Sequence, residues 1–253
     1  MTRRFVYHPL ALLALAWPLL ATAENDWPAP IKALESQGLT IHERFEAPAG
    51  LTGYAASVQG RELAAYVTQD EKYALVGTMV DAQGNDLTSD RLYELVKKPQ
   101  DAELWESLAD SAWIADGDDD AGRIIYTFTD PNCPYCKKFW DQTRPWVEAG
   151  KVQIRHIMVG ILKQDSPIKA LSLLAADDPA EALADHQRGN EISTFKEYPR
   201  DYEDALAENH QLMQSLGLGA TPSTLYRHDG KLSVMQGVPP ADKLESIMGS
   251  PAP

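Results

Sequence analysis

Apolar and polar positions divide the chain into a β-rich part, a short helical part and a longer mixed part. Four short runs alternate or are rich in β-formers: Leu39 to Phe45, Leu51 to Val58, Glu62 to Thr68 and Tyr73 to Val80. Turn residues separate them and Gly84-Asn85 closes the set, which predicts a small curved sheet led by a helix around Ile31 to Gln37. From Thr88 to Lys97, and again from Asp101 to Ala112, the period becomes helical. Leu92, Leu95 and Val96, then Leu104, Trp105 and Leu108, fall on one stripe. Pro99 is expected to separate the two helices, and Asp116 to Asp120 to form a solvated loop after them.

The third part has a clearer order. Arg123 to Thr129 predicts a strand, and Asp130-Pro131-Asn132 turns the chain into a helix that opens at Cys133 and runs to about Ala149. Gly150 stops it, and Lys151 to Val159 is the next strand of a β-α-β unit. Helical patterns follow at Ile168 to Ala175, Pro179 to Arg188 and Tyr202 to Leu216. Thr221-Pro222 then leads a strand from Ser223 to Arg227, Asp229-Gly230 supplies a hairpin turn, Leu232 to Gln236 returns, and a last helix covers Ala241 to Met248. The expected class is α+β. Residues 24–86 form a small sheet domain, 87–112 a helical linker, and 113–253 a thioredoxin-like domain with a helical insertion.

Composition adds a compartment. Arg3 and Arg4 precede an apolar run from Leu10 to Leu20, and Ala21-Thr22-Ala23 supplies a small-x-small cleavage pattern, so residues 1–23 are expected to be a secretory signal peptide. The run is short for a membrane span, and no later segment has eighteen consecutive apolar residues, so no span is expected in the mature chain. Removing two arginines and no acid takes the formal charge from −14 to −16. Such a field repels phosphate backbones, which makes nucleic acid a poor partner.

Only two cysteines occur, Cys133 and Cys136, three positions apart. A bridge closing so small a loop stabilises by roughly 2 kcal/mol, against about 4.7 kcal/mol for a hundred-residue loop, so stapling is a weak reason for the pair. At i and i+3 in a first helical turn, both thiols lie on one face and can form a disulfide without moving the backbone. Pro134 suits the first helical position, where its missing N–H would be unpaired anyway. Cys133 then meets the positive end of the helix and free backbone donors, which favour its thiolate. Cys136, one turn inside, is the resolving thiol. Tyr135 is uncharged and adds no cation beside the thiolate, which predicts a milder oxidant than a histidine there, and it is a candidate substrate contact. Lys137 and Lys138 are assigned to an exposed face, and Phe139, Trp140 and Trp146 to core packing.

Metal chemistry fits poorly. One CxxC supplies two zinc ligands, and His42, His156, His186, His210 and His228 are not spaced as a second half-site, so they are assigned as ordinary surface or strand residues. Lys137 follows Cys136 where c-type haem attachment requires histidine. The acidic loop at Asp116 to Asp120 lacks EF-hand spacing. No metal and no cofactor is expected.

The stretch Phe128-Thr129-Asp130-Pro131-Asn132-Cys133-Pro134-Tyr135-Cys136-Lys137-Lys138-Phe139-Trp140, followed by Arg144-Pro145-Trp146-Val147, resembles the active-site helix of the DsbC/DsbG family of periplasmic thiol:disulfide interchange proteins. Pro28-Ala29-Pro30-Ile31-Lys32-Ala33, Gly160, Ser166-Pro167 and Ile247-Met248-Gly249 are also similar to that family. The resemblance implies a V-shaped homodimer paired through the small domains, with helical arms and two catalytic domains facing a cleft. It implies a periplasmic location, cysteines kept reduced by the membrane reductase DsbD, and misbridged or sulfenylated cysteines of exported proteins as substrates. Thr221 and a cis Pro222 would face the reactive pair and bind extended substrate, with Pro134 and Tyr135 beside them. One branch of the family has glycine at the position of Pro134 and a further structural disulfide, neither of which is present here. Asn132 departs from the aromatic residue expected before the nucleophile. Two other readings stay open: a monomeric DsbA-like oxidase that donates disulfides, and a holdase chaperone whose cysteines are incidental.

Overall fold

The computed structural model describes residues 26–195 and 197–253, so the expected signal peptide lies outside the described residues. Two compact units divide the chain, one ending at Thr88 and the other beginning at Ser89.

In the first unit, helix α1 (Ala29–Ser36) precedes strands β1 (Thr40–Glu46), β2 (Thr52–Val58), β3 (Arg61–Val67) and β4 (Ala74–Val76). They form an antiparallel sheet in chain order. Alternation along β2 and β3 sends Tyr54, Ala65 and Val67 to one face, where they enclose Ile31 of α1. Gln59 and Gly60 take left-handed conformations at the β2–β3 turn, as a two-residue hairpin requires. Gly53 pairs with Phe45 across the sheet, and a Cβ there would lie 2.4 Å from the Phe45 ring, so any larger residue would require that ring to move. The run expected over Tyr73 to Val80 joins the sheet only over β4, and Val80 forms a separate bridge with Asp86. Beyond it the chain is pulled back by Thr88, whose hydroxyl meets Tyr66 Oη at 2.6 Å and accepts the Met79 N–H at 2.7 Å. Tyr73, Leu75, Val76 and Val80 are left exposed along this edge.

The second unit begins with α2 (Ser89–Leu92), a widened turn over Tyr93–Lys97, and α3 (Lys98–Asp110), one continuous helical run. Pro99 therefore does not break it. Proline is tolerated in a first turn, and the Lys98 N–H reaches back five residues to the Tyr93 carbonyl, widening the backbone where the ring must fit. Strand β5 (Trp113–Asp116) follows, a strand that periodicity did not predict. Then come β6 (Ile124–Thr129), α4 (Pro134–Glu148), β7 (Gln153–Met158), α5 (Ser166–Leu174), α6 (Pro179–Arg188), α7 (Arg200–Ser215), β8 (Ser223–His228), β9 (Lys231–Gln236) and α8 (Ala241–Met248).

The sheet order is β5-β7-β6-β8-β9, with β6 and β7 parallel and the other pairs antiparallel. Both faces of β6 are covered. Ile125 packs with Phe139, Trp146, Leu244 and Ile247 from α4 and α8, whereas Tyr126 and Phe128 pack with Leu108 and Met213 from α3 and α7. Asp229 and Gly230 take positive φ at the β8–β9 turn, as the dipeptide predicts. Asp116 is not a solvated loop residue. It ends β5, where a fork of hydrogen bonds from Arg144 of α4 reaches its carboxylate and His156 Nε2 lies 3.4 Å away.

Candidate active site

The site forms where β6 ends and α4 begins, at the carboxyl edge of the parallel pair. Asp130 makes the corner. Buried at 1% exposure, its carboxylate accepts the Asn132 N–H at 2.8 Å, the Ser166 hydroxyl at 2.9 Å, and the Ile161 and Leu162 N–H groups at 2.7 and 2.9 Å. One side chain thus ties the segment before Cys133 to the loop entering α5. Asn132 strengthens the tie: its amide donates to Asp165 and Ser166 at 3.0 and 2.9 Å and accepts from Lys169 at 2.8 Å.

Cys133 is the N-cap of α4, in extended conformation, and Pro134 opens the helix. Both cysteines are free thiols and both are buried, Cys133 at 5% exposure at the surface end of the pair and Cys136 behind it. The Cys136 N–H donates to Cys133 Sγ at 3.1 Å, so sulfur takes the acceptor role that an oxygen fills at an ordinary N-cap. The Cys133 thiol in turn lies 3.2 Å from the Thr221 carbonyl. The Thr221–Pro222 peptide is cis.

These contacts separate the two thiols. The pKa of Cys133 falls to about 6, chiefly because the Cys136 thiol hydrogen-bonds to its sulfur; Thr221 and the Cys136 and Tyr135 N–H groups add to this against burial, which raises it. Cys136 moves the other way, pushed up by burial and by its neighbour's negative charge. The direction expected for both is found, but the leading cause for Cys133 is its partner thiol, ahead of the backbone donors at the helix start. Cys136 is 1% exposed. A nucleophile in front of a shielded resolving thiol is an arrangement suited to thiol–disulfide exchange.

Tyr135 projects into solvent beside the pair at 62% exposure, while Phe139, Trp140 and Trp146 are buried. Lys138 is exposed, but Lys137 does more than line a surface: its ammonium donates to the Gln187 carbonyl at the end of α6 and to Asp141 at 3.3 Å. Three histidines are also more than surface or strand residues. His186 makes a 2.6 Å hydrogen bond to the Pro131 carbonyl, His210 accepts the Gly160 N–H at 2.8 Å, and His156 is enclosed between Thr129 and Asp116. Sequence spacing carried no signal for these, because each meets a partner at least 27 residues away. Asp130 was legible as a turn residue, not as the anchor of the site. Among the described residues, no group of three or more His, Cys, Asp or Glu side chains is arranged to hold a metal ion.

A family model for a thioredoxin-like domain matches residues 116–250. The solved catalytic domain of Proteus mirabilis ScsC superposes with a TM-score of 0.51 at 22% identity, over 60% of this chain and 96% of that one, which shows the shared fold. The thiol:disulfide interchange protein DsbG of Pseudomonas aeruginosa is 48% identical over 91% of both chains. DsbG of Escherichia coli is 38% identical over 95% of this chain and 98% of its own. Similarity of that extent spans both units and the paired cysteines alike, and the chain therefore belongs to the DsbG family of thiol:disulfide interchange proteins.

Proposed function

We propose that this protein works in the periplasm as a reductase and isomerase of wrongly oxidised cysteines in exported proteins. One observation carries this reading: an acidic Cys133 sulfur at the head of α4, backed by a thiol that burial keeps protonated until it is needed. The Cys133 thiolate attacks a client disulfide, forming one S–S bond while the client's second sulfur leaves as thiolate. Cys136, on losing its proton, attacks Cys133 and releases the client thiol, leaving a Cys133–Cys136 disulfide. With a sulfenylated client the first step expels the oxygen as water, and the second is unchanged. In isomerisation the client's own thiol displaces Cys133 instead, and no net electrons move. In the reductive routes the membrane reductase DsbD is the electron donor that restores both thiols.

Thr221, Pro222, Pro134 and Tyr135 are the residues assigned to substrate binding. Support comes from the 3.2 Å contact of the Thr221 carbonyl with Cys133 and from the solvent-facing ring of Tyr135. Exposed Ile161 and Leu162, held through Asp130, extend an apolar rim suited to unfolded segments, which supports chaperone action as a companion activity. The homodimer is supported by the edge strand β4. Its outer edge, which no strand covers among the described residues, and its exposed Leu75 and Val76 suit pairing with a second copy.

The test is trapping. Cys136→Ser is expected to accumulate mixed disulfides with exported proteins, whereas Cys133→Ser should form none and lose reductase activity. In intact cells the pair should be largely reduced. A largely oxidised pair would favour disulfide donation and overturn the reductase reading.

A further inference from the structure

Beside Cys133 lies a groove of about 250 Å³, walled on one side by Asn132, Cys133 and Lys137 and on the other by His186 and Asn190 from the end of α6 and the residues after it. At about 30 Å³ per water, it has room for roughly eight water molecules, enough for one amino-acid side chain. Its walls are bolted together. The His186 bond to the Pro131 carbonyl and the Lys137 bond to the Gln187 carbonyl both cross it, so the groove exists before any client arrives. No residue of the Thr221–Pro222 segment lines it, so a client chain held at Cys133 and Thr221 would have this groove as a separate neighbour.

The lining has an unusual charge for this molecule. Acids outnumber bases 37 to 23 in the chain, and four other surface cavities each include at least one carboxylate, yet this groove has none. Its charged group is Lys137, whose ammonium has three N–H donors. Gln187 and Asp141 use two, and the side chain is 46% exposed, which leaves the third for an incoming acceptor. Asp141 is the acid facing this lysine, and it lies outside the lining.

We propose that this groove is a specificity subsite that receives an acidic side chain flanking the client's oxidised cysteine, with Lys137 as the residue that recognises it. The inference rests on the thiol-exchange reading above and adds a preference among clients. The long-range field of an acidic protein opposes such a client, but it is screened beyond about 8 Å at physiological salt, so a contact made inside the groove decides.

The experiment uses the full-length reduced protein and two sets of disulfide-linked peptides, identical except for glutamate or lysine beside the cysteine. The wild type should react faster with the glutamate set, by roughly fivefold, the effect of one half-exposed ion pair. Lys137→Met should bring the ratio to about one, Lys137→Glu should invert it, and Lys137→Arg should keep it. Any change that these substitutions make to the Cys133 thiolate cancels in the ratio. Equal rates for both sets in the wild type, or a preference that survives Lys137→Met and Lys137→Glu, would overturn the subsite and leave the thiol chemistry standing. Failure to react with either set would remove both.

Discussion

At the scale of single residues, the proposed chemistry turns on how Cys133 is surrounded. A thiol with a pKa of about 6 is mostly ionised at neutral pH, whereas an unperturbed one near 8.5 is mostly protonated. The rate of iodoacetamide capture at Cys133 should therefore rise with pH and reach half its limit near pH 6, and a midpoint near 8.5 would contradict the hydrogen-bond account. Because the Cys136 thiol is the leading donor to Cys133, Cys136→Ala should move that midpoint upward. Asp130 is the second such residue. Asp130→Ala leaves the Ile161 and Leu162 N–H groups without their buried acceptor, and should destabilise by about 3 kcal/mol in denaturant unfolding. A loss below about 0.5 kcal/mol would mean that the corner is held by other contacts.

Between elements, the tie of β5 to α4 is one that periodicity could not foresee. Burial pushes the Asp116 carboxyl up, but His156 and the Arg144 fork outweigh it, and its pKa ends below the usual carboxylate range. The sign of the linkage follows. A carboxyl with a depressed folded pKa contributes stability above its unfolded pKa, and that contribution disappears as pH falls through the folded value. Asp116→Asn should thus cost about 2 kcal/mol at pH 7, and the gap to wild type should narrow below about pH 4. A gap that stays constant across the acid range would show that shape, not charge, is what Asp116 supplies. Arg144 also lies 3.9 Å over the Trp140 ring, so this ion pair is built into the face of the active-site helix.

For the whole molecule, the exposed edge of the first unit is the feature on which the proposed assembly rests. Leu75 and Val76 place exposed apolar side chains on the edge strand β4, with exposed Tyr73 and Val80 flanking it, an arrangement that soluble monomers avoid. Leu75→Glu combined with Val76→Lys should shift the protein from dimer to monomer in sedimentation velocity while leaving Cys133 capture by iodoacetamide unchanged. A wild type that sediments as a monomer would remove the homodimer. Lost isomerisation with retained simple disulfide reduction is the activity pattern expected of the monomeric variant.

Local information was enough for most of the strands and helices and for the reactive pair. The alternation of β2 and β3, the Asp229-Gly230 turn, the parallel β6–β7 unit and the placing of Cys133 and Pro134 at a helix start all depend on backbone preferences within a few residues. Where contact partners are far apart in sequence, tertiary packing decided. Pro99 stays within a helical run because the turn before it widens, and β5 is a strand because it pairs with β7. Asp130 and His186 become site residues only when α5 and α6 fold back against the chain before Cys133. Sequence alone therefore determined that two thiols would share the first turn of a helix; only the folded chain determined how acidic one becomes, because the contact of Thr221 with Cys133 and the burial of Cys136 come from packing across the domain.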